Sequence, residues 1–294
     1  MANNMDKETL HSLLKARATI DKDGVFVSNE IADKTVWDKL AIENPTHAVI
    51  SAKDEKDAAQ KSEMQIADIK NHLKSGDILL DCGTGYGRVA KYLLPQMTLG
   101  AYIGMDSSYE MLSLFKQRYN STDSEQGTPV MLLNSDMYNI PLQDNSVDVV
   151  IVSAVFLHNH KSIVVKAMTE IERVVKKGGK VLVYSSFPRA FTLMGLQGHA
   201  YQALLNLLGR PYSNGPVRYY RRKEISRMFE GFSEVEYRPV GFSVVPKTII
   251  GLPHFIEVVY RKGLANPINH LLEKICPAKL KPFFAVHYDV VATR

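Results

Sequence analysis

The stretch DILLDCGTGYGR (77–88) constrains this chain more than any other. An apolar run ends in Asp81, and glycines then stand at every second position: Gly83, Gly85 and Gly87. Glycine loses more freedom on folding than any other residue, so a cluster of it weakens regular structure unless the backbone needs it. A strand that runs into a tight turn and then a helix has that need. Glycine tolerates positive φ there and lets a ligand approach the main chain. The following helix N-terminus adds free N–H groups and positive partial charge. The stretch therefore reads as a cofactor turn at the carboxyl end of a buried strand.

The sequence around it supplies the sheet. ILLDC (78–82), AYIGMD (101–106), PVMLLNSD (129–136), VDVVIVSAV (147–155) and KVLVYSS (180–186) are near-continuous apolar runs. Helical segments alternate with them: RVAKYLL (88–94) closed by Pro95, SSYEMLSLFKQRY (107–119) capped by Ser107 or Ser108, and KSIVVKAMTEIERVVKKGG (161–179). Strands alternating with helices imply βαβ units, and apolar runs of this kind imply a parallel sheet covered on both faces. Further on, EISRMFEGFSEVEYRPVGF gives a helix and a strand, and FFAVHYDVVATR gives a last strand. The fold expected is α/β, a doubly wound, mostly parallel, seven-stranded Rossmann-like sheet. The first 76 residues read as helical and polar, with Ile66, Ile69 and Leu73 on one face. Residues 1–50 are expected to be a helical extension and residues 51–294 the catalytic domain. Helical insertions at about 187–218 and 243–282 are expected to lie over its active site.

Glycine spacing narrows the cofactor. A dinucleotide turn reads G-x-G-x-x-G and holds a pyrophosphate. Here the spacing is G-x-G-x-G, with Asp81 at its mouth. A carboxylate repels a pyrophosphate and attracts an ammonium group. No run of 18 apolar residues is present, so a spanning helix is not expected, although peripheral membrane contact is compatible with the sequence. The N-terminus lacks the pattern of a signal peptide, which suggests a cytoplasmic protein. Two cysteines, Cys82 and Cys276, make neither a disulfide framework nor a zinc site, and no metal is expected.

These motifs together resemble those of the class I S-adenosylmethionine-dependent methyltransferases, in particular the small-molecule enzymes with a methyltransferase-11-like domain. Asp81, Gly83, Gly85 and Gly87 match the first motif, [DE]-x-G-x-G-x-G. YIGMD matches the second strand with its terminal acid, Asp106, and NSDMYNIP the Asp-plus-apolar pair, Asp136 and Met137. IPLQDNSVDVVIVSAVFLHNH and EIERVVKKGGKVLVYSS resemble the two segments that follow. The resemblance covers roughly 50–186 and the terminal strand pair. It implies S-adenosyl-L-methionine as cofactor. It implies cofactor contacts at Asp81, Cys82, Gly83, Thr84 and Gly85 beside the methionine part, at Asp106 and Ser107 beside the ribose, at Asp136 and Met137 beside adenine, and at Ser153. Cys82 stands within the motif, its side chain packed as a small hydrophobe. Asp148 reads as serving the start of its strand and is left out. His158, after the fourth strand, is the candidate base, and a structural histidine is the competing reading. Trp37 reads as core or as pocket lining.

Methyl transfer from a sulfonium needs alignment and exclusion of water more than acid–base chemistry. The acceptor expected is a small molecule, lipidic or natural-product-like. An RNA or tRNA acceptor is the alternative, because RPYSNGPVRYYRRKE gathers Arg210, Arg218, Arg221, Arg222 and Lys223 with Tyr212, Tyr219 and Tyr220. The competing reading has RYY begin a helix with its charges solvated. An inactive cofactor-binding partner is a third class. Phe191, Leu193, Ile249, Ile250 and Phe255 are expected to face a cavity next to the methyl group.

Overall fold

The computed structural model describes residues 6–15, 18–20, 24–28, 38, 42, 55–119, 127–209, 217–246, 256 and 259–294. Five parallel strands form the centre of one sheet: β3 (Ile78–Cys82), β4 (Ala101–Asp106), β5 (Val130–Asn134), β6 (Val147–Ser153) and β7 (Val175–Pro188). Two more, β8 (Glu234–Val240) and β9 (His287–Thr293), complete one end, with β9 antiparallel between β7 and β8. These are the seven strands expected. Two short strands, β1 (Ala18–Ile20) and β2 (Phe26–Ser28), extend the other end, giving the order β1-β2-β5-β4-β3-β6-β7-β9-β8 among the described residues.

The helical reading of the N-terminal segment is therefore corrected at β1 and β2. Three-residue strands carry too little alternation to show a period, and only their partners make them strands. Phe26 pairs in register with Leu133 of β5, and β2 folds back on β1. One short helix, α1 (Lys7–Ser12), precedes them, its N-terminal N–H of Thr9 capped by Asp6. A second correction concerns Gly178 and Gly179. The helix before them ends at Val174, and both glycines lie within β7, Gly178 at φ 77°. The ladder shifts register there, and the added glycines let the strand bulge.

Side-chain alternation sends the strands' apolar residues to two cores. Leu80, Ile103, Val150 and Val181 pack on one face with Val164 and Ile171 of α5 (Lys161–Val174), and with Ile225 and Phe229, of which Ile225 lies in α7 (Arg222–Met228). Leu79, Tyr102, Ile151 and Leu182 pack on the other. There they meet Ile66 and Ile69 of α2 (Glu55–Asn71), Val89 of α3 (Arg88–Leu93), and Leu112 and Phe115 of α4 (Tyr109–Arg118). Leu79 and Leu80 are adjacent and both wholly buried. Only a strand covered on both faces can do that.

The chain moves outward from β3 through β4 to β5, then returns to place β6 on the opposite side of β3. The carboxyl ends of β3, β4 and β6 thus border a switch point, the place where such sheets bind ligands. β7 and β8 both pair antiparallel with β9, so they run in one direction and end at this same edge. Both insertions leave from there. The first carries α6 (Leu193–Leu207). The second carries a π-helical turn (Arg261–Ala265), α8 (Asn266–Ile275) and α9 (Lys281–Phe284).

Candidate cofactor cleft

A cleft of about 110 Å³ opens at the switch point. Gly83 and Gly85 line it after β3, with Met105, Asp106 and Ser107 at the end of β4. Ser135, Asp136, Met137 and Tyr138 follow from β5, and Ser153, Ala154 and Val155 from β6. Of the residues picked from sequence, Gly83, Gly85, Asp106, Ser107, Asp136, Met137 and Ser153 therefore meet at one wall. The three glycines take φ values of 79°, 57° and 82°, the left-handed region that favours glycine. A Cβ on Gly83 would lie 2.3 Å from Cγ2 of Val155, so the Val155 side chain packs directly against the bare main chain of the turn after β3.

Asp106 organises the turn. Its Oδ2 accepts the Gly85 N–H at 2.8 Å, and its Oδ1 accepts the Ser108 N–H at 2.9 Å. Asn134 holds the main chain behind it, its amide donating to the carbonyls of Asp106 and Ser107 at 3.1 and 3.0 Å. Burial pushes the Asp106 pKa up to about 6, against the lowering effect of the two N–H donors. Asp136 accepts from the Tyr138 hydroxyl at 2.8 Å.

Asp81, Cys82 and Thr84 do not line the cleft. Asp81 is 1% exposed and accepts hydrogen bonds from the hydroxyls of Tyr102 and Thr84. Burial raises its pKa. The expected meeting of its carboxylate with a ligand ammonium is not what this geometry shows, because both hydroxyls turn it inward, that of Tyr102 tying β3 to β4 and that of Thr84 tying β3 to its own turn. Cys82 is wholly buried in the core, where desolvation raises its thiol pKa. Asp148 accepts the Ile78 N–H at 2.9 Å and pairs with Lys176, serving the start of β3 and β6.

His158 closes a 3₁₀ turn (Phe156–His158) after β6 and is not among the lining residues, although its neighbour Asn159 is. Burial pushes its pKa down to about 4. The imidazole is neutral at physiological pH and a weak base, so the base reading gains no support from position or basicity. Phe191 and Leu193 are 70% and 47% exposed instead of facing the cleft. Trp37, Arg210, Tyr212, Ile249, Ile250 and Phe255 lie outside the described residues.

Sequence reasoning missed several contributors. Ala154 lies in the wall at φ 57°, an uncommon conformation for a residue with a Cβ, and its N–H donates to the Tyr184 carbonyl. Asn159 and Ile163 line the cleft from the turn after β6 and the first turn of α5. Arg88, 3% exposed, lies beneath it. It donates to Ser62 (3.1 Å), Gln65 (2.8 Å) and Ser153 (3.0 Å), and Gln65 also donates to Ser153 (2.9 Å). An arginine directly after the third glycine was the available signal.

The charge of the wall is informative. Its ionisable side chains are two carboxylates and a tyrosine, and no lysine, arginine or histidine lines it among the described residues. A pyrophosphate finds no counter-charge here, whereas a cationic nucleoside finds two. Five sulfur- or branched-aliphatic side chains, Met105, Met111, Met137, Val155 and Ile163, supply apolar contact for a planar base. The residues present fit S-adenosylmethionine. Fold and cleft together define a nucleoside-cofactor-binding α/β enzyme.

Comparison with known proteins sharpens this. A family model for a methyltransferase domain matches residues 80–183. The chain is 30% identical over 205 residues to a demethylmenaquinone methyltransferase of Bacillus cereus, covering 64% of this chain and 81% of that one. Among solved structures, the phosphoethanolamine N-methyltransferase 1 of Haemonchus contortus, in complex with phosphoethanolamine and S-adenosylhomocysteine, superposes with a TM-score of 0.52 at 13% identity. The match covers 88% of this chain and 47% of that chain. YcgJ from Bacillus subtilis superposes with a TM-score of 0.51 at 19% identity, covering 79% and 99%. The chain belongs to the S-adenosylmethionine-dependent methyltransferases, and S-adenosylmethionine is its cofactor.

One expected result follows from Asp106. A carboxyl whose folded pKa is raised favours the fold most below its unfolded value, near 3.8, and that contribution is lost as pH rises to about 6. Stability of the ligand-free protein should fall across this window by about 1–2 kcal/mol more than that of Asp106→Asn, less than the full shift because the group borders a solvent-facing cleft. Asp289, also raised to about 6, is common to both proteins and cancels. Cofactor affinity should move the other way, weakening as Asp106 protonates below pH 6. At pH 8 the variant should bind roughly 10- to 100-fold more weakly. Denaturant midpoints and calorimetry from pH 4 to 8 read both effects. Parallel pH curves for the two proteins would remove Asp106 from the site.

Proposed function

We propose that the chain methylates a small apolar acceptor of quinone-like or lipidic character by direct in-line displacement. The observation that carries this reading is the 30% match to a demethylmenaquinone methyltransferase, which extends over 205 residues and so well beyond the motif-bearing segment. The composition of the first insertion agrees with it. α6, LMGLQGHAYQALLNL, has no charged side chain, unlike a surface built to hold phosphates.

Bound in the cleft, S-adenosylmethionine supplies an electrophilic sulfonium methyl. The chain's residues hold and orient. Asp106 would accept from the ribose hydroxyls while keeping the Gly85 and Ser108 N–H groups in place. Asp136 and Met137 take the adenine edge and face. Gly83 and Gly85 give main chain to the methionine part, and Ser153, fixed by Arg88 and Gln65, marks the wall nearest β6. Val155, Asn159 and Ile163, which line the same cleft, would then border the acceptor side and keep water from the methyl carbon. His158 stands outside the reacting set, so alignment does most of the work.

An acceptor screen with labelled methyl cofactor, run in parallel on naphthoquinol, phospholipid and tRNA fractions, tests the reading. Label in the naphthoquinol fraction is expected, and label in tRNA alone overturns it. The basic cluster gives a second check. Arg222 stacks on Tyr237 at 3.0 Å from its ring centre, and Arg221 lies over Phe191 at 5.2 Å and accompanies the capping box with Glu224. These contacts support the solvated, helix-starting reading of RYYRRKE. Arg221→Ala combined with Lys223→Ala should change acceptor KM less than about twofold. An RNA enzyme would instead lose about one unit of salt slope per phosphate contact removed.

A further inference from the structure

The second insertion is anchored on one face and bare on the other. Asn269 of α8, 4% exposed, accepts the N–H groups of Val244 and Val245 at 2.8 Å each and donates to the Val245 carbonyl at 2.8 Å. Ala265, four residues earlier, is wholly buried. Phe284 of α9 packs on Phe242 with ring centres 5.4 Å apart, and its carbonyl accepts the Ser243 N–H. These contacts fix the segment to the end of β8, at the edge of the sheet that bears the cleft.

The opposite face of α8 and its flanks is apolar and exposed. Leu264, Leu271 and Ile275 recur at i, i+7 and i+11 and are 51%, 59% and 69% exposed. Phe283 beyond them is 70% exposed. Leaving such a stripe in water is unfavourable, and a monomer seldom keeps one without use. Charge indicates the use. Between residues 261 and 281 stand Arg261, Lys262, Lys274, Lys279 and Lys281 against one acid, Glu273. An apolar stripe with a cationic flank is the pattern of a helix that lies in a bilayer interface and is drawn there by anionic lipid. No helix among the described residues is long and apolar enough to cross a membrane, so contact would be at the surface.

We propose that α8 and its flanks dock this enzyme on an anionic bilayer, with the cleft-bearing edge of the sheet toward the lipid. The inference goes beyond the acceptor reading and does not depend on it.

Co-sedimentation of the full chain with vesicles tests it. Vesicles of phosphatidylcholine with 30–40% phosphatidylglycerol (roughly the anionic content that gives a useful surface potential) are compared with pure phosphatidylcholine. Strong binding to the anionic vesicles and weak binding to the neutral ones is expected. Added salt should weaken it. The triple variant Leu264→Ser, Leu271→Ser, Ile275→Ser should lose at least about tenfold in partitioning, and Lys274→Glu with Lys281→Glu should lose about fivefold per site. Thermal melting and S-adenosylhomocysteine affinity of both variants should stay unchanged, which separates loss of docking from loss of fold. Absence of binding to anionic vesicles overturns the proposal, and so does binding that neither variant reduces. A dimer broken by the serine variant, with no vesicle binding, would reassign the stripe to self-association and overturn it equally.

Discussion

Replacing Gly85 by valine is expected to abolish measurable binding of S-adenosylhomocysteine while leaving a folded protein. Gly85 sits at φ 57°, lines the cleft, and donates its N–H to Asp106 at 2.8 Å. A β-branched residue is a true outlier at positive φ, so the turn must rotate to relieve it. Rotation withdraws the N–H from Asp106 and moves main chain into the space of the ligand. The loss combines a charge-assisted hydrogen bond with a steric block, more than 100-fold in affinity on the scale of roughly 3 kcal/mol or more. Calorimetric titration checks it, and far-ultraviolet circular dichroism verifies the fold. Affinity within about tenfold of that of the unsubstituted protein would show that the ligand does not lean on this turn.

The next glycine along should fail for a different reason. Gly87, at φ 82°, precedes α3, and a Cβ there would lie 2.5 Å from Cδ2 of Phe115 and 2.6 Å from its Cγ. Phe115 is 1% exposed and wedged edge-on between Tyr102 and Tyr119, with ring centres 6.0 and 5.8 Å away. The ring has nowhere to go. Gly87→Ala should cost the positive-φ penalty plus overpacking, about 3–5 kcal/mol in all. For a chain of this size that lowers Tm by roughly 10 °C. Calorimetric melting reads the shift directly. The pair of variants separates two uses of one motif: Gly85 shapes the cleft, and Gly87 lets α3 and α4 pack on the sheet.

Much of this was legible in the sequence. Continuous apolar runs located β3 to β6 because buried parallel strands need them, and the glycine spacing with Asp106 located the cleft. Asp81 shows where such reading stops. A pattern of residue types places a carboxylate at the end of β3 but does not say which way it turns, and the Tyr102 hydroxyl that draws it inward comes from the neighbouring strand. Ala154, Asn159 and Ile163 were missed because their place in the wall follows from the return of the chain to β6, a long-range fact. The apolar residues of the insertions were legible as apolar but not as outward-facing. Phe191 and Leu193 fit an inward or an outward face equally well until Gly195, buried against Arg189 and Ala190, fixes the rotation of α6.

The placement of β8 at the far end of the sheet bears on how this protein behaves at high concentration. An outermost strand offers unpaired main-chain groups to any neighbouring chain and is the usual seed of strand-to-strand aggregation. Here that strand reads EVEYRPV, with Glu234, Glu236 and Pro239 exposed and Arg238 drawn across to Asp68 at 2.9 Å. Two acids disfavour a like-charged copy, and the proline cannot donate to a further ladder. Crowding should therefore not drive this protein into fibrous aggregates through β8, and conditions that screen charge should matter less to its solubility than conditions that screen the greasy faces of α6 and α8. Mild detergent, rather than salt, is the additive that this architecture asks for during purification.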